Sequence, residues 1–509
     1  MSSRSSFPDP LPWPELANRA GLGGHSDASL ASVMITALAD DSRRVVPGAC
    51  FVAVRGAKSD GHRFLRSAVE AGASLLVVEP QADVPRGVPV LRVADSRSVL
   101  AKLASAFFGL RGGQGRCPTL IAVTGTNGKT TVAWILRSIL AAANHRPALL
   151  GTVEYDVIGE RWPAPLTTPG AIDLASLLAT ARDAGADFAV LEASSHALDQ
   201  RRTDGLEFSA GVFTNLTGEH LDYHGTMAAY REAKRRLFAG LSAGATAVIN
   251  RDDPTGAGMA AGLRADVVYY GLRSAGLDVT ADLESTTPAG STFVLRARTF
   301  ETSMHSRLIG RHNVENVLAA AAAAECLGVA PAAIRLGVER LAGAPGRLQP
   351  VHPPDWPFSV LVDYAHTDDA LRNALQAVRS LTTGRVICVF GCGGDRDRAK
   401  RPRMAAVVDE LADVAFVTSD NPRTEDPGAI IADILTGFPA APRCRPTIEP
   451  DRRRAIEAAL TEAASGDAVL IAGKGHETYQ LVGDRALHFD DAEVAREWLK
   501  RTAVTEAVA

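Results

Sequence analysis

Of the 54 basic residues in this sequence only seven are lysines, at positions 58, 102, 129, 234, 400, 474 and 500. Arginine supplies positive charge elsewhere. A lysine kept against that bias is a candidate for chemistry that needs a primary amine, although drift in codon usage also leaves stray lysines. Lys129 lies in VTGTNGKTT, Val123 to Thr131. There an apolar run feeds a glycine-bounded loop, Gly125–Thr126–Asn127–Gly128, and two hydroxyls, Thr130 and Thr131, open a helical pattern. This is phosphate-binding chemistry. Backbone N–H groups and the helix N-terminus face the anion, Lys129 adds a point charge, and Thr130 can hold magnesium. The common G-x-x-x-x-G-K-[ST] spacing fails at its first glycine, where Val123 stands. Lys234 sits between Ala233 and two arginines, where a third arginine would serve as well for charge alone.

Three further constellations carry weaker signals. VLEASSHALDQRR (190–202) ends a strand-like run in Glu192. A carboxylate at the end of a parallel strand faces the ligand crevice, or else it merely precedes a capped helix. His220 and His224 have no evident third soft ligand, which argues against a zinc site. In VTSDNPRTEDP (417–427), Asp420, Asn421, Pro422 and Arg423 follow another strand-like run. A guanidinium fork beside an amide suits a carboxylate. The alternative is a polar turn started by Asn-Pro.

The elements that would position these groups read as three units: 1–113, 114–342 and 343–509. The first has strand-like runs at 49–54 and 74–79 with a helix between them, and the Gly-rich stretch 109–118 reads as a linker. The second alternates buried-type strands (119–125, 187–193, 210–215, 245–250) with helices, and its helix 316–328 stops at Gly328. The third has strands at 359–365, 385–391, 414–420 and 468–473. Apolar strands alternating with helices predict an α/β protein of parallel sheets: a central P-loop-type sheet, a small N-terminal α/β domain and a C-terminal Rossmann-like domain. GCGG (391–394) begins like a dinucleotide fingerprint, but Arg396 occupies the place of the third glycine, which argues against NAD.

Bulk properties narrow the class. The chain has 509 residues, 46% apolar and 22% charged, with net charge −4. This gives no reason to expect nucleic-acid binding. No apolar run approaches the ~20 residues of a membrane span, and the N-terminus has no secretory apolar core. Six cysteines form no C-x-x-C pair, as in a reduced cytoplasmic protein.

Taken in order, GTNGKTT, TTPGAIDL, EASSHALDQRR, TNLTGEHLDYHG, YREAKRRLF, GRHNVENVLAA, GRLQPV, VDYAHTDDAL, FGCGGDRDRAKRP, SDNPRTEDP and GKGHETYQ resemble the Mur ligases. Within them the match is to the MurE branch, which adds the third residue of the peptidoglycan stem. The resemblance runs from about residue 41 to the C-terminus. It implies that ATP phosphorylates the terminal carboxylate of UDP-N-acetylmuramoyl-L-alanyl-D-glutamate and that an amine then displaces phosphate from the acyl phosphate. By the same resemblance Lys129 and Thr130 grip phosphates and Mg2+, and Glu192 and His220 are magnesium ligands. Lys234 becomes carbamylated (N6-carboxylysine), which arginine could not, and presents that carboxylate to a second magnesium. Asn313 and Asn316 face adenine, and Arg347 and Asp363 lie near ribose and phosphates. Ser42, Thr167, Thr168, Ser194, Gln200 and Arg202 contact the UDP-linked dipeptide.

DNPR with Arg396, Gly473 and Glu477 resembles the site for meso-2,6-diaminopimelate, with the arginines on the distal carboxylate and Glu477 on the distal ammonium. The implied protein is a cytoplasmic monomer without nucleic-acid or membrane partners. The competing readings are a ligase for another amino acid such as L-lysine and a MurE-like binding protein without catalysis. The retained Lys129, Glu192, His220 and Lys234 argue against the latter. The sequence departs from the family at Gly170, Glu219 and Asp368, none of which is expected to touch a residue assigned to chemistry. The phosphate loop and DNPR fall in different units, which therefore must approach one another.

Overall fold

Six strands form the parallel body of the central sheet, and the inner ones are apolar runs buried on both faces. In the computed structural model, which describes residues 8–23, 30–56, 59–111, 117–287, 289–353, 355–444 and 446–508, they lie side by side. The order is Pro147–Leu150, Phe188–Glu192, Thr119–Thr124, Phe208–Phe213, Thr246–Asn250, Asp266–Tyr270. An antiparallel hairpin, Glu154–Val157 with Glu160–Pro163, closes one edge. The helices Lys129–Ala142, Arg311–Cys326 and Pro331–Arg340 pack together beside it. Their small residues matter. Ala319 to Ala324 are all fully buried, and a Cβ on Gly337 would come within 2.3 Å of the Ile139 backbone. Gly328, at φ +78°, ends the long helix as its sequence indicates.

The first unit carries a four-stranded parallel sheet, Ala37–Ala39, Ala49–Val52, Leu75–Val78 and Val90–Arg92. In the third unit the parallel strands are ordered Ser359–Asp363, Ala468–Ala472, Val386–Phe390, Val414–Val417, Pro446–Ile448, with Gln349–Pro350 antiparallel at one edge. The strand of this sheet that comes last in the chain, Ala468–Ala472, is thus inserted between the first two parallel ones, the arrangement that opens a crevice at strand carboxyl ends. Among the described residues no helix is long and apolar enough to cross a membrane. Of the expected linker, residues 112–116 lie outside the described residues.

A three-stranded antiparallel sheet, Thr280–Thr287, Gly290–Arg296 and Glu301–Ser306, was not anticipated from the sequence. Its last two strands alternate, so Phe293, Leu295 and Met304 enter the core, while most of Thr280–Thr287 is exposed. A half-exposed strand of this kind reads as polar loop.

Register places the loops that matter. Glu192 and Val212 both pair with Val123, so the loops after Thr124, Glu192 and Phe213 leave the central sheet together. In the third unit Asp363 pairs with Ala472, Val389 with Ile471 and Phe390 with Val417. Four loops therefore emerge side by side, and they carry Tyr364–Asp369, Gly391–Arg396, Thr418–Arg423 and Gly473–Glu477.

Candidate active site

The phosphate-type loop is as tight as its glycines require. Gly128 has φ +85° and precedes the helix Lys129–Ala142; a Cβ there would meet Asn316 Oδ1 at 2.4 Å. The Thr126 N–H donates to Asn215 O at 2.9 Å. Lys129 turns back on the loop and donates to Gly125 O (2.9 Å) and Thr126 O (2.7 Å); burial lowers its pKa. Thr130 and Thr131 are buried and line a cavity of about 270 Å3 together with Asn313, Asn316, Arg347 and Asp363. Asn313 Nδ2 donates to Ile309 O (2.8 Å) and Asn316 Nδ2 to Asn313 Oδ1 (3.0 Å), so the pair is prealigned. Asp363 accepts from Leu348 N and Ala365 N at 2.6 and 2.8 Å, and its pKa is raised by burial.

Glu192 is fully buried. Its Oε2 accepts from Thr130 Oγ1 and Thr152 Oγ1, both at 2.9 Å, and its Oε1 from Thr152 N at 2.9 Å. Among the described residues no cation pairs with it, and a buried carboxylate without a counter-charge is costly. Arg347 donates to Thr130 Oγ1 at 3.2 Å, stacks 4.8 Å over Tyr364 and keeps a buried Nε without an acceptor. Hard oxygens and a spare donor converge here, which fits Mg2+ bound with phosphates. Among the described residues no three His, Cys, Asp or Glu side chains gather as a metal cage. An ion held mainly through substrate oxygens and water needs none.

Lys234 is also buried. It donates to Gly125 O at 2.7 Å and lies 4.5 Å over the Tyr230 ring. Burial and neighbouring Lys129 depress its pKa strongly, which favours the neutral, nucleophilic amine. Beside it Glu219, absent from the residues expected to act, lies 3.7 Å from His220 Nε2 and 3.4 Å from His366 Nε2. The expectation that the family departures touch no assigned residue is corrected at this point. Despite its burial, the two imidazoles and Lys129 hold the Glu219 carboxyl well below the usual range. Burial lowers the His220 pKa to about 4, so the ring is neutral and able to bind a metal. Asp369, from the third unit, accepts from Asn127 Nδ2 (2.7 Å) and Thr217 Oγ1 (3.2 Å) and thus joins that unit to the phosphate loop.

Five of the six residues expected to meet the UDP-linked substrate form one network. Thr167 shares a hydrogen bond with Thr152 (3.1 Å). Thr168 donates to Glu192 O (2.7 Å) and accepts from Ser194 N (3.0 Å). Arg202 donates to Thr168 O and to Gln200 Oε1, each at 2.7 Å. Ser42 stands apart in a one-turn 3-10 helix, Ser42–Arg44, of the first unit.

A second cavity, of about 520 Å3, is lined by Arg396, Asp420, Asn421, Arg423, Gly473 and Glu477 together with His220 and His366. Arg423 is clamped by the hairpin Tyr479–Val482/Arg485–His488: Arg423 N donates to Leu481 O (3.0 Å) and Gly483 N to Arg423 O (2.7 Å). A Cβ on Gly473 would fall 2.6 Å from Asp420 Oδ2. Asn421 lines the cavity, but its amide is partly committed within the protein. It donates to Glu477 Oε2 (2.7 Å), and its Oδ1 accepts from Leu481 N (2.9 Å). Lys474 pairs with Glu477 at 3.2 Å. The sequence reading gave Lys474 no role, although the scarcity of lysine marked it.

Known proteins match this architecture along its length. Residues 34–108 match the Mur ligase family catalytic domain, 123–324 the Mur ligase middle domain and 346–475 the Mur ligase glutamate ligase domain. The chain is 44% identical over 488 residues to the UDP-N-acetylmuramoyl-L-alanyl-D-glutamate–2,6-diaminopimelate ligase of Gloeobacter violaceus, covering 96% of this chain and 98% of that one. To the Geobacter metallireducens enzyme of the same name it is 45% identical over 480 residues, covering 89% and 92%. A solved structure of a ligase so named superposes with a TM-score of 0.71 at 34% identity, covering 97% of this chain and 99% of that chain. The chain belongs to the Mur ligase family.

Proposed function

We propose that this chain is an ATP-dependent acid–amino-acid ligase that joins meso-2,6-diaminopimelate to UDP-N-acetylmuramoyl-L-alanyl-D-glutamate through an acyl phosphate, releasing ADP and phosphate. The observation that carries the reading is the one cavity that His220, Arg396, Arg423 and Glu477 line together, beside the Thr130–Glu192–Arg347 cluster.

The helix N-terminus at Lys129 and the loop Gly125–Gly128 receive the ATP phosphates, and Asn313, Asn316 and Asp363 receive the nucleoside. Ser42, Thr167, Thr168, Ser194, Gln200 and Arg202 hold the UDP-linked dipeptide so that its terminal carboxylate meets the γ-phosphorus. Carboxylate oxygen attacks, the bond to ADP breaks, and an acyl phosphate forms. The amine of diaminopimelate, presented from the Arg423 end, attacks the acyl carbon; phosphate leaves and the amine proton is lost. Orientation carries much of the rate. Thr130, Glu192 and His220 would hold Mg2+, which when bound neutralises phosphate charge. Lys234, as a neutral amine, adds to CO2 and loses one proton, and the resulting carbamate puts a carboxylate where the neutral amine stood.

The work is divided among 1–113 for the UDP substrate, 114–342 for ATP and 343–509 for the amino acid, in a cytoplasmic monomer. Phosphate release from ATP with the UDP-muramoyl-dipeptide tests the reading. It should require meso-diaminopimelate; release that ignores the amino acid contradicts it.

A further inference from the structure

The amino-acid pocket contains a buried cation whose protons are all in use. Lys474 follows Gly473 at the end of the strand Ala468–Ala472 and is fully buried. Its Nζ donates to Asn421 Oδ1 (3.2 Å), Glu477 Oε2 (3.2 Å) and Tyr479 O (2.5 Å). An ammonium has three donors, so none is left for a ligand. Asn421 Nδ2 donates to the same Glu477 Oε2 at 2.7 Å. Among the described residues the hydrogen bonds and the ion pair of the Glu477 carboxylate fall on Oε2, which leaves Oε1 to the cavity that Glu477 lines.

We propose that Lys474 is a positioning and specificity-determining residue, which acts through Glu477 to set the pocket for an amino acid whose distal end is zwitterionic. The proposal rests on the reading of this pocket as the amino-acid site. Fastening one Glu477 oxygen aims the other. The Lys474 charge also offsets much of the Glu477 charge, so the carboxylate alone is a poor counter-ion for a second ammonium. Around Glu477 the pocket is lined by Asp420, Arg396 and Arg423, with Lys474 buried behind Glu477. A distal ammonium that brings its own carboxylate satisfies the two guanidiniums and leaves the balance unchanged. A lone distal ammonium adds a further cation and gives the guanidiniums nothing. Without Lys474, Glu477 is released as a full counter-ion for the lone ammonium, and discrimination falls.

The test uses the full chain with Lys474→Gln, which removes the charge and keeps hydrogen-bond donors, and Lys474→Arg, which keeps the charge. Phosphate release is measured with meso-diaminopimelate and with L-lysine. In Lys474→Gln the ratio of kcat/KM values for the two amino acids should fall about tenfold, or about 1.4 kcal/mol. The KM for diaminopimelate should rise and the KM for ATP should stay within about twofold. Lys474→Arg should keep the ratio within about threefold. In a Glu477→Gln background, Lys474→Gln should add less than its single effect, because the two act through one contact. A ratio unchanged in Lys474→Gln, equal losses in both Lys474 variants, or effects that simply multiply would show a structural lysine only and overturn the proposal. Should Lys474→Gln fail to fold, a changed ratio in folded Lys474→Arg is the overturning result and a retained one supports it. Wild-type chain that ligates neither amino acid overturns the pocket reading itself, an outcome distinct from a failure confined to the variants.

Discussion

Arg423→Ala removes one of two guanidiniums from the amino-acid end of the cavity while leaving the turn that carries them. Arg423 Nη1 donates to Gly394 O at 2.8 Å, which anchors the fork and leaves its other nitrogens to the cavity. The backbone is held separately, by Arg423 N on Leu481 O and Gly483 N on Arg423 O. Arg423 has φ +53°, a left-handed cost of roughly 1–2 kcal/mol that alanine shares with arginine. The turn therefore persists, and the loss is that of a guanidinium–carboxylate pair. A hydrogen bond to a charged group contributes about 1.5–3 kcal/mol, so kcat/KM for meso-diaminopimelate should fall roughly a hundredfold. The KM for ATP should hold, because the Asn313–Asn316 cavity is a different one. Steady-state phosphate release with each substrate varied in turn measures both. A loss below about threefold, or an equal loss in ATP affinity, would refute the reasoning.

Three other outcomes follow from the same geometry. Lys234→Ala should abolish ligation, with partial recovery in high bicarbonate or acetate, and Lys234→Arg should not recover; a fully active Lys234→Arg excludes a carbamate. Asp491→Asn strips the counter-charge from Arg452, both side chains being completely buried with nitrogen and oxygen 2.7 Å apart. It should cost about 3 kcal/mol or more in urea unfolding. Burial lowers the His312 pKa to about 4 from an ordinary value near 6.5. As pH falls the unfolded chain takes up that proton first, so the contribution is complete above pH ~6.5 and is lost towards pH 4. Thermal melts of His312→Gln should show a shallower decline over that interval than wild type; parallel declines would count against the assignment.

What the sequence makes legible is whatever depends on local pattern. Apolar strands such as Phe188–Glu192 and Val386–Phe390 announce themselves because both faces are buried. The loop at Gly125–Thr131 is legible because a phosphate site is built from consecutive residues. Thr280–Ser306 escaped because its last two strands alternate and most of its first strand meets water. Partner choice was also hidden. Asn421 and Glu477 are 56 residues apart, and nothing in DNPR says that the amide turns inward to a carboxylate on another loop. Glu219 looked like a neutral departure because its neighbours His366 and Lys129 arrive only through tertiary folding, from a separate unit and a separate loop. Lysine scarcity did mark Lys234 and Lys474 alike, but only the structure places a buried amine beside the phosphate loop and a cation beneath Glu477.

The central claim is that one cavity brings a carboxyl activated by ATP to the amine of meso-diaminopimelate. The most direct measurement is the mass of the nucleotide-sugar product after incubation with ATP, Mg2+, UDP-N-acetylmuramoyl-L-alanyl-D-glutamate and an equimolar mixture of meso-diaminopimelate and L-lysine. The account predicts a product heavier by one diaminopimelate less one water, formed in step with ADP, and little lysine adduct. A predominant lysine adduct, or ATP consumed with no adduct at all, would contradict it.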